Sequence, residues 1–566
     1  MEWWRTALVY QIYPRSFMDS DDDGVGDLKG ISSKVDYLKE IGVDAVWLSP
    51  IYKSPMADFG YDISNFTDVD PIFGNMDDLK ELLDKLKAVG IRVLMDFVPN
   101  HSSDEHLWFQ KSVKKEEPYT DFYVWKDAIA FINGEPQPPN NWQSVFSGSA
   151  WEWNEERNQF YLHQFAIKQP DLNYRNSLVV EEMTKAIEFW LDLGVDGFRV
   201  DAAKFLVEEE TMGNETKIDP EGPLTYSNMD HSLTTNREET YGIIRQWSEL
   251  VKEKNKDGKD RVLLLEVYNT AEDIIKYYGG DDAPFQMPFN FFLLEAIRPN
   301  MTAKELEANV QGWLNAIPKD KTTNWVVGNH DNRRIPTRAG EEMADAVNMI
   351  LAMLPGMMVS YNGEELGMKD TFLTYNETVD PSGRLLGPEN YQAGSRDPER
   401  TPMQWDDSPY AGFSNKKPWL PVNPNYWNLN VKQQNSMINS HLKVFKDLSK
   451  LRGSEALLNM TNFEIKAVTE FVLLIKRWSN TERYYLLVNL DNYQVTTNLT
   501  EGGTVKIASI NSGFNTGYIA SSPLTLGPKS ALLYTESNSS LRAMASTDFL
   551  LVLLFALLLY SILNVV

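Results

Sequence analysis

Three acidic residues stand at the ends of apolar runs, and their setting points to chemistry. Asp201 closes Gly197-Phe198-Arg199-Val200-Asp201, Glu266 closes Arg261-Val262-Leu263-Leu264-Leu265-Glu266, and Asp331 closes Asn324-Trp325-Val326-Val327-Gly328-Asn329-His330-Asp331. Each run is short and apolar enough to be a buried parallel strand. If the three strands belong to one barrel, their carboxyl ends share one mouth and the carboxylates converge there. Carboxylates gathered in one place repel one another, so one of them is held protonated at neutral pH. An ionised nucleophile beside a neutral acid is what cleavage of a glycosidic bond requires. Arg199 lies two residues before Asp201 on the same strand face, where it favours the ionised carboxylate and lowers its pKa. Metal binding by the three acids is the competing reading, but Arg199 would repel a cation and phosphate-handling residues are missing. His101 and His330 flank separate strand ends with acids nearby, and read as donors that recognise hydroxyl groups.

The elements that must position these groups alternate. Apolar runs at Ala7 to Tyr13, Ala45 to Pro50 and Val93 to His101 are the first three strands. Helices over Ile31 to Ile41 and Leu79 to Val89 stop at Gly42 and Gly90. The loop Asp58-Phe59-Gly60-Tyr61-Asp62 brings two carboxylates and an aromatic ring to the same mouth. From about His106 to Arg175 the helical period disappears in a stretch rich in Pro, Asn, Gly and Trp, which predicts an irregular subdomain overhanging the mouth. The fourth, fifth and seventh strands are the three runs that end in Asp201, Glu266 and Asp331. The sixth lies near Met287 to Phe292, and the eighth is Pro355 to Tyr361. Beyond about Leu451, short alternating runs such as Phe471 to Ile475 and Tyr484 to Val488 predict a small all-β domain. The expected fold is therefore α/β: a (β/α)8 TIM barrel with an insertion after strand three and a C-terminal β-sandwich. The expected boundaries are barrel 1–104 and 176–453, insertion 105–175, sandwich 454–537 and a terminal signal 538–566.

The chain has 566 residues, and its net charge of −26 argues against nucleic acid and anionic lipid as partners. It has no cysteine, which excludes disulfides, thiolate metal sites and cysteine nucleophiles. Asp19-Ser20-Asp21-Asp22-Asp23-Gly24-Val25-Gly26-Asp27 spaces carboxylates at alternate positions around a turn glycine, as an oxygen-rich loop for one structural calcium ion does. It is not an EF-hand, because Gly30 stands where the twelfth-position glutamate would be. Phe549 to Val566 is almost wholly apolar, with no basic residue after it and the small cluster Asn538-Ser539-Ser540 before it. That order matches a glycolipid-anchor signal; a C-terminal membrane helix is the alternative. Either way the bulk of the chain would face the exterior. No leader is visible at Met1, and sequons at Asn65, Asn214, Asn300, Asn376, Asn459 and Asn498 agree with export.

On Asp96 to His101 (DFVPNH), Gly197 to Asp201 (GFRVD), Leu263 to Val267 (LLLEV) and Gly328 to Asp331 (GNHD), the chain resembles the α-glucosidases of the α-amylase superfamily. Gln169-Pro170-Asp171-Leu172-Asn173 and Arg400 to Trp405 resemble markers of its exo-acting, oligosaccharide-cleaving subgroup. The resemblance implies Asp201 as nucleophile, Glu266 as acid/base and Asp331 as stabiliser of the transition state. It implies Asp58, Tyr61, His101, Phe146, Phe165, Gln169, Arg199, His330 and Arg400 around the non-reducing glucose. It also implies calcium on Asp19, Asp21, Asp23, the Val25 carbonyl and Asp27. Ala202, small and next to the nucleophile, implies a preference for α-1,4 linkages, with maltose, sucrose and short maltooligosaccharides as substrates. With the terminal signal, the likeness is strongest to insect midgut maltases, mosquito ones above all. That implies display on the outer face of the gut plasma membrane, and, on the resemblance alone, a bacterial binary toxin and a homodimeric mate as further partners. An inactive surface scaffold of the kind seen in transporter heavy chains, and a transglycosylase or sucrose isomerase, are the alternatives.

Overall fold

The computed structural model describes residues 2–280, 283–499 and 501–536, so the terminal anchor signal expected at 538–566 lies outside the described residues. Eight parallel strands form the central sheet: β1 (Leu8–Ile12), β2 (Ala45–Leu48), β3 (Arg92–Phe97), β4 (Gly197–Val200), β5 (Val262–Leu265), β6 (Gln286–Pro288), β7 (Asn324–Val326) and β8 (Met357–Tyr361). Their order, β6-β5-β4-β3-β2-β1-β8-β7, follows the chain around a (β/α)8 barrel. The seam between β6 and β7 is bridged by one side chain. Asn324 donates from Nδ2 to the Pro288 carbonyl (2.8 Å) and accepts at Oδ1 from the Asn290 amide (2.9 Å).

The strands are buried on both faces, as expected where helices cover a parallel sheet, and their sequences are accordingly mainly apolar, with Arg199 in β4 and Ser360 in β8 as buried polar exceptions. The helix Ser177–Leu193 leads into β4. It is capped by the Asn176 side chain at its start and by Gly194 at φ 114° at its end. Gly197 opens β4 at φ 145°, and a Cβ there would lie 2.1 Å from the Val262 carbonyl oxygen. Only glycine lets β4 lie this close to β5, which brings the ends of those two strands side by side.

Two local expectations need correction. The helix over Ile31 to Ile41 is two helices, Leu28–Ser33 and Val35–Ile41, broken at Lys34. The insertion is also more ordered than its composition suggests. It holds the helix Leu107–Val113, whose N-terminus is capped by His106, a three-stranded antiparallel sheet (Trp125–Lys126, Gln159–Leu162, Trp151–Asn154) and a hairpin (Ala130–Ile132, Glu135–Gln137). A seven-residue helix is too short to establish a period in sequence.

The C-terminal part is a six-stranded antiparallel sheet with a separate two-stranded pair, Val495–Thr497 and Leu524–Leu526. Strand alternation sorts its apolar residues between two cores. Leu473, Ile475, Leu486 and Val488 join the barrel's core, while Val472, Leu474, Tyr485 and Leu487 pack with Leu524 and Leu526 of the pair. Arg477 ties the sheet to the barrel, donating to the Met353 carbonyl at 2.9 Å.

Candidate active site

A cavity of about 370 Å³ opens at the carboxyl ends of the barrel strands. Asp58, Tyr61, His101, Phe146, Phe165, Gln169, Asp201, Glu266, His330 and Asp331 all line it, so ten of the residues expected at the site share one space. Arg199 and Arg400 are buried behind the wall, where they hold the carboxylates rather than face the cavity.

Arg199 is the centre of the first cluster. Its Nη1 lies 2.5 Å from Asp201 Oδ1 and 2.8 Å from Asp96 Oδ1, and its Nη2 lies 2.7 Å from Glu266 Oε1. One cation therefore serves three carboxylates, Asp96 buried and Asp201 and Glu266 facing the cavity. Burial pushes the Glu266 carboxyl up to about 8; Arg199 opposes this, while the charges of Asp201 and Asp331 add to it. Burial also raises Asp201, to about 7, against the pull of Arg199. The expectation that Arg199 lowers the Asp201 pKa is thus corrected: the guanidinium acts in that direction, but it is shared with Asp96 and Glu266, and desolvation outweighs it. The main chain sharpens the geometry. Ala202 adopts the left-handed conformation at φ 48°, uncommon for a residue other than glycine, and its amide donates to Glu266 Oε2 at 2.9 Å.

Asp331 is held differently. Burial alone would raise its carboxyl, but the edge of His330, Arg400 Nη2 at 2.8 Å and Arg396 Nη1 at 3.3 Å outweigh it and keep the group well below the usual carboxylate range. His330 accepts at Nδ1 from the Gln11 amide (2.8 Å), which puts its proton on Nε2, facing Tyr61 Oη at 2.7 Å and Asp331 at 3.4 Å. Its ring is sandwiched between Tyr13 and Tyr61. Burial holds His101 down to about 4, so it is neutral, with Nε2 3.1 Å from the Tyr61 carbonyl. The site therefore separates its three strand-end carboxyl groups by environment: one strongly ionised, at Asp331, and two raised, at Asp201 and Glu266.

Sequence reasoning did not find Arg396, Asp380 or Asp96 as members of the site. Arg396 lines the cavity and bridges Asp58 (2.9 Å), Asp331 (3.3 Å) and the buried Asp380 (2.7 Å), with its guanidinium 5.1 Å from the centre of the Phe146 ring. Asp58 also accepts from Gln169 at 3.1 Å. This network walls one end of the cavity with paired charges. Val145, Ala202, Lys204, Phe205, Tyr226, Tyr268 and Asn332 complete the lining.

In the acidic loop, Gly24 takes φ 93°, and a Cβ there would lie 2.4 Å from the Lys417 carbonyl oxygen. The carboxylates of Asp19, Asp21 and Asp27 offer oxygens within 4.8 Å of one another, with Asp19 and Asp27 buried. Asp23 instead accepts from the Val25 amide at 2.7 Å and is not one of those three. Burial and the mutual repulsion of these acids raise the Asp21 carboxyl.

Fold and site define a TIM-barrel enzyme with paired carboxylates in a walled cavity. The chain matches the alpha-amylase catalytic-domain model over residues 11–460. It is 47% identical over 485 residues to a salivary alpha-glucosidase of Aedes aegypti, covering 84% of each chain. It is also 47% identical over 484 residues to Maltase 1 of Drosophila virilis, covering 84% of this chain and 76% of that one. Among solved structures it is similar to the alpha-glucosyl transfer enzyme XgtA, with a TM-score of 0.84 and 32% identity over 95% of this chain and all of that one. The chain belongs to the alpha-amylase family.

Proposed function

We propose that the protein is a retaining, exo-acting α-glucosidase that removes terminal α-1,4-linked glucose from maltose, sucrose and short maltooligosaccharides. The observation that carries this reading is the fork of Arg199 between Asp201 and Glu266. Two carboxyls held on the two terminal nitrogens of one guanidinium are close neighbours, which supports the short separation of retaining enzymes, roughly 5–5.5 Å, over the wider gap that admits a water. Asp201 attacks the anomeric carbon while Glu266 gives its proton to the leaving oxygen, forming a glucosyl ester on Asp201. Glu266, now ionised, takes a proton from water, which displaces the carboxylate. Asp331, already ionised, faces the positive charge that develops on the ring. The Asp58–Arg396–Asp331 wall supports an exo mode, because a chain cannot run past it.

The raised Glu266 pKa fits both of its roles. The charge of Asp201 is one of its causes, so esterification of Asp201 removes it, lowers the Glu266 pKa and leaves that carboxyl ionised when water must be activated.

The direct test is glucose release from maltose, isomaltose and sucrose. Maltose and sucrose are expected to be cleaved and isomaltose to lag; a folded protein inert to all three would favour the surface-scaffold reading. The likeness to a glucosyl transfer enzyme gives the transglycosylase alternative its support, since sugar and water compete for the same ester.

A calcium ion fits the Asp19, Asp21 and Asp27 cluster, with Asp23 and the Val25 carbonyl adjoining it in the loop, and would neutralise acids that no salt bridge satisfies among the described residues. Its role would be structural, outside the cavity. Chelation is expected to lower the melting temperature by a few degrees, with restoration by calcium; Asp21→Ala should abolish that difference, and an unchanged melt would remove the ion from the account. Surface display by a glycolipid anchor rests on residues 538–566, and the toxin and homodimer rest on the resemblance to mosquito maltases.

A further inference from the structure

The loop that follows β4 runs from the nucleophile to the helix Glu238–Lys254 and contributes Lys204, Phe205 and Tyr226 to the cavity. Much of it is exposed, including Ile218 and Leu224, yet it contains a buried carboxylate, Glu215. Burying a carboxylate in an exposed loop is unfavourable unless its oxygens are satisfied. Here Thr234 donates to Oε1 at 2.7 Å and His231 Nδ1 lies 3.0 Å from Oε2. The other ring nitrogen of His231 lies 2.8 Å from the Tyr226 carbonyl, and the imidazole stacks on the Tyr226 ring at 3.8 Å and 17°. The loop is also stitched to the insertion across the mouth: Asn141 exchanges two hydrogen bonds of 2.9 Å with the Glu215 main chain, and Trp142 donates to the Gly213 carbonyl. The outcome of this network is a Tyr226 ring fixed in place at the cavity.

The side of the cavity it occupies gives it a role. The hydrogen-bonding groups Asp58, His101, Gln169, His330, Asp331 and Arg396 come from the loops after β2, β7 and β8, the end of β3 and the insertion. The loop after β4 begins at Ala202, whose amide holds the acid Glu266. A leaving group departs toward its proton donor, so it faces this loop. We propose that Tyr226 is the surface on which the leaving sugar stacks its apolar face, and that Glu215 and His231 are positioning residues for it; this rests on the glucosidase reading. Aromatic rings are suited to that contact because they offer large rigid apolar area.

The test compares maltose with glucosyl fluoride, which has no second sugar. Tyr226→Ala is expected to lose about tenfold in kcat/KM on maltose and far less on glucosyl fluoride, whereas Tyr226→Phe retains most of the maltose activity. His231→Ala should raise KM for maltose with little change in kcat, and His231→Phe, which keeps a ring to stack on, should recover part of it. Equal losses on both substrates, or none on maltose, would overturn the proposal. A wild-type enzyme inert to glucosyl fluoride would overturn the glucosidase reading itself, and this inference with it.

Discussion

Asp201→Asn abolishes maltose hydrolysis, by on the order of 10⁴-fold or more, without loosening the fold. The amide keeps the shape of the carboxyl but cannot open the first step, because it has no charge with which to form the glucosyl ester. The fold survives because Arg199 retains Asp96 at 2.8 Å and Glu266 at 2.7 Å. Removing one of three carboxylates that compete for one guanidinium also relieves repulsion, so the melting temperature should hold or rise. Activity assays and thermal melts on the same preparation check both halves. A variant that melts well below the wild type would mean that Asp201 is a structural anchor, and a variant that keeps activity would move the nucleophile elsewhere.

Glu266→Gln is expected to lose roughly 10²–10⁴-fold on maltose, the usual range for a lost general acid, and much less on glucosyl fluoride, whose leaving group needs no proton. The pH profile carries a second signature. Glu266 must be protonated for the first step, and its carboxyl is pushed up to about 8, so kcat/KM on maltose should fall as pH rises through about 8. The glutamine variant has no such proton to lose and should lack that alkaline limb. Asp331 contributes no limb in this range, since its neighbouring charges keep it ionised far below neutrality. Retention of the alkaline limb in Glu266→Gln would assign the proton to another group in the cluster, Asp96 included.

The three proposed catalytic carboxylates could be read from sequence because each follows a mainly apolar run, and the barrel places every such end at one mouth. Asp58 and Tyr61 were equally readable, lying in a short loop beside a clear strand. Arg396 was not. It sits in the stretch after β8 that winds through short helices before returning to the cavity, and no periodicity announces which of its charges turns inward. Arg396 and Arg400 four residues apart, around Asp397 and Glu399, were the available signal, and only Arg400 was taken from it. Asp96 was overlooked for a different reason: it lies inside β3, where its charge is legible but its shared guanidinium on β4 is a tertiary fact. Desolvation, together with that sharing, explains why a neighbouring arginine did not set the Asp201 pKa as a simple pair would. Tyr226 depends on contacts between two irregular segments, which local pattern cannot predict.

The central claim is a covalent glucosyl ester on Asp201. Mixing Glu266→Gln with glucosyl fluoride should let the ester form while slowing its hydrolysis, because the missing carboxyl is also the base that activates water. Mass spectrometry of the quenched protein should then find one added glucosyl unit, and peptide mapping should place it on Asp201. A turnover-competent sample with no adduct, together with release of glucose of inverted anomeric configuration by the wild type, would contradict the account.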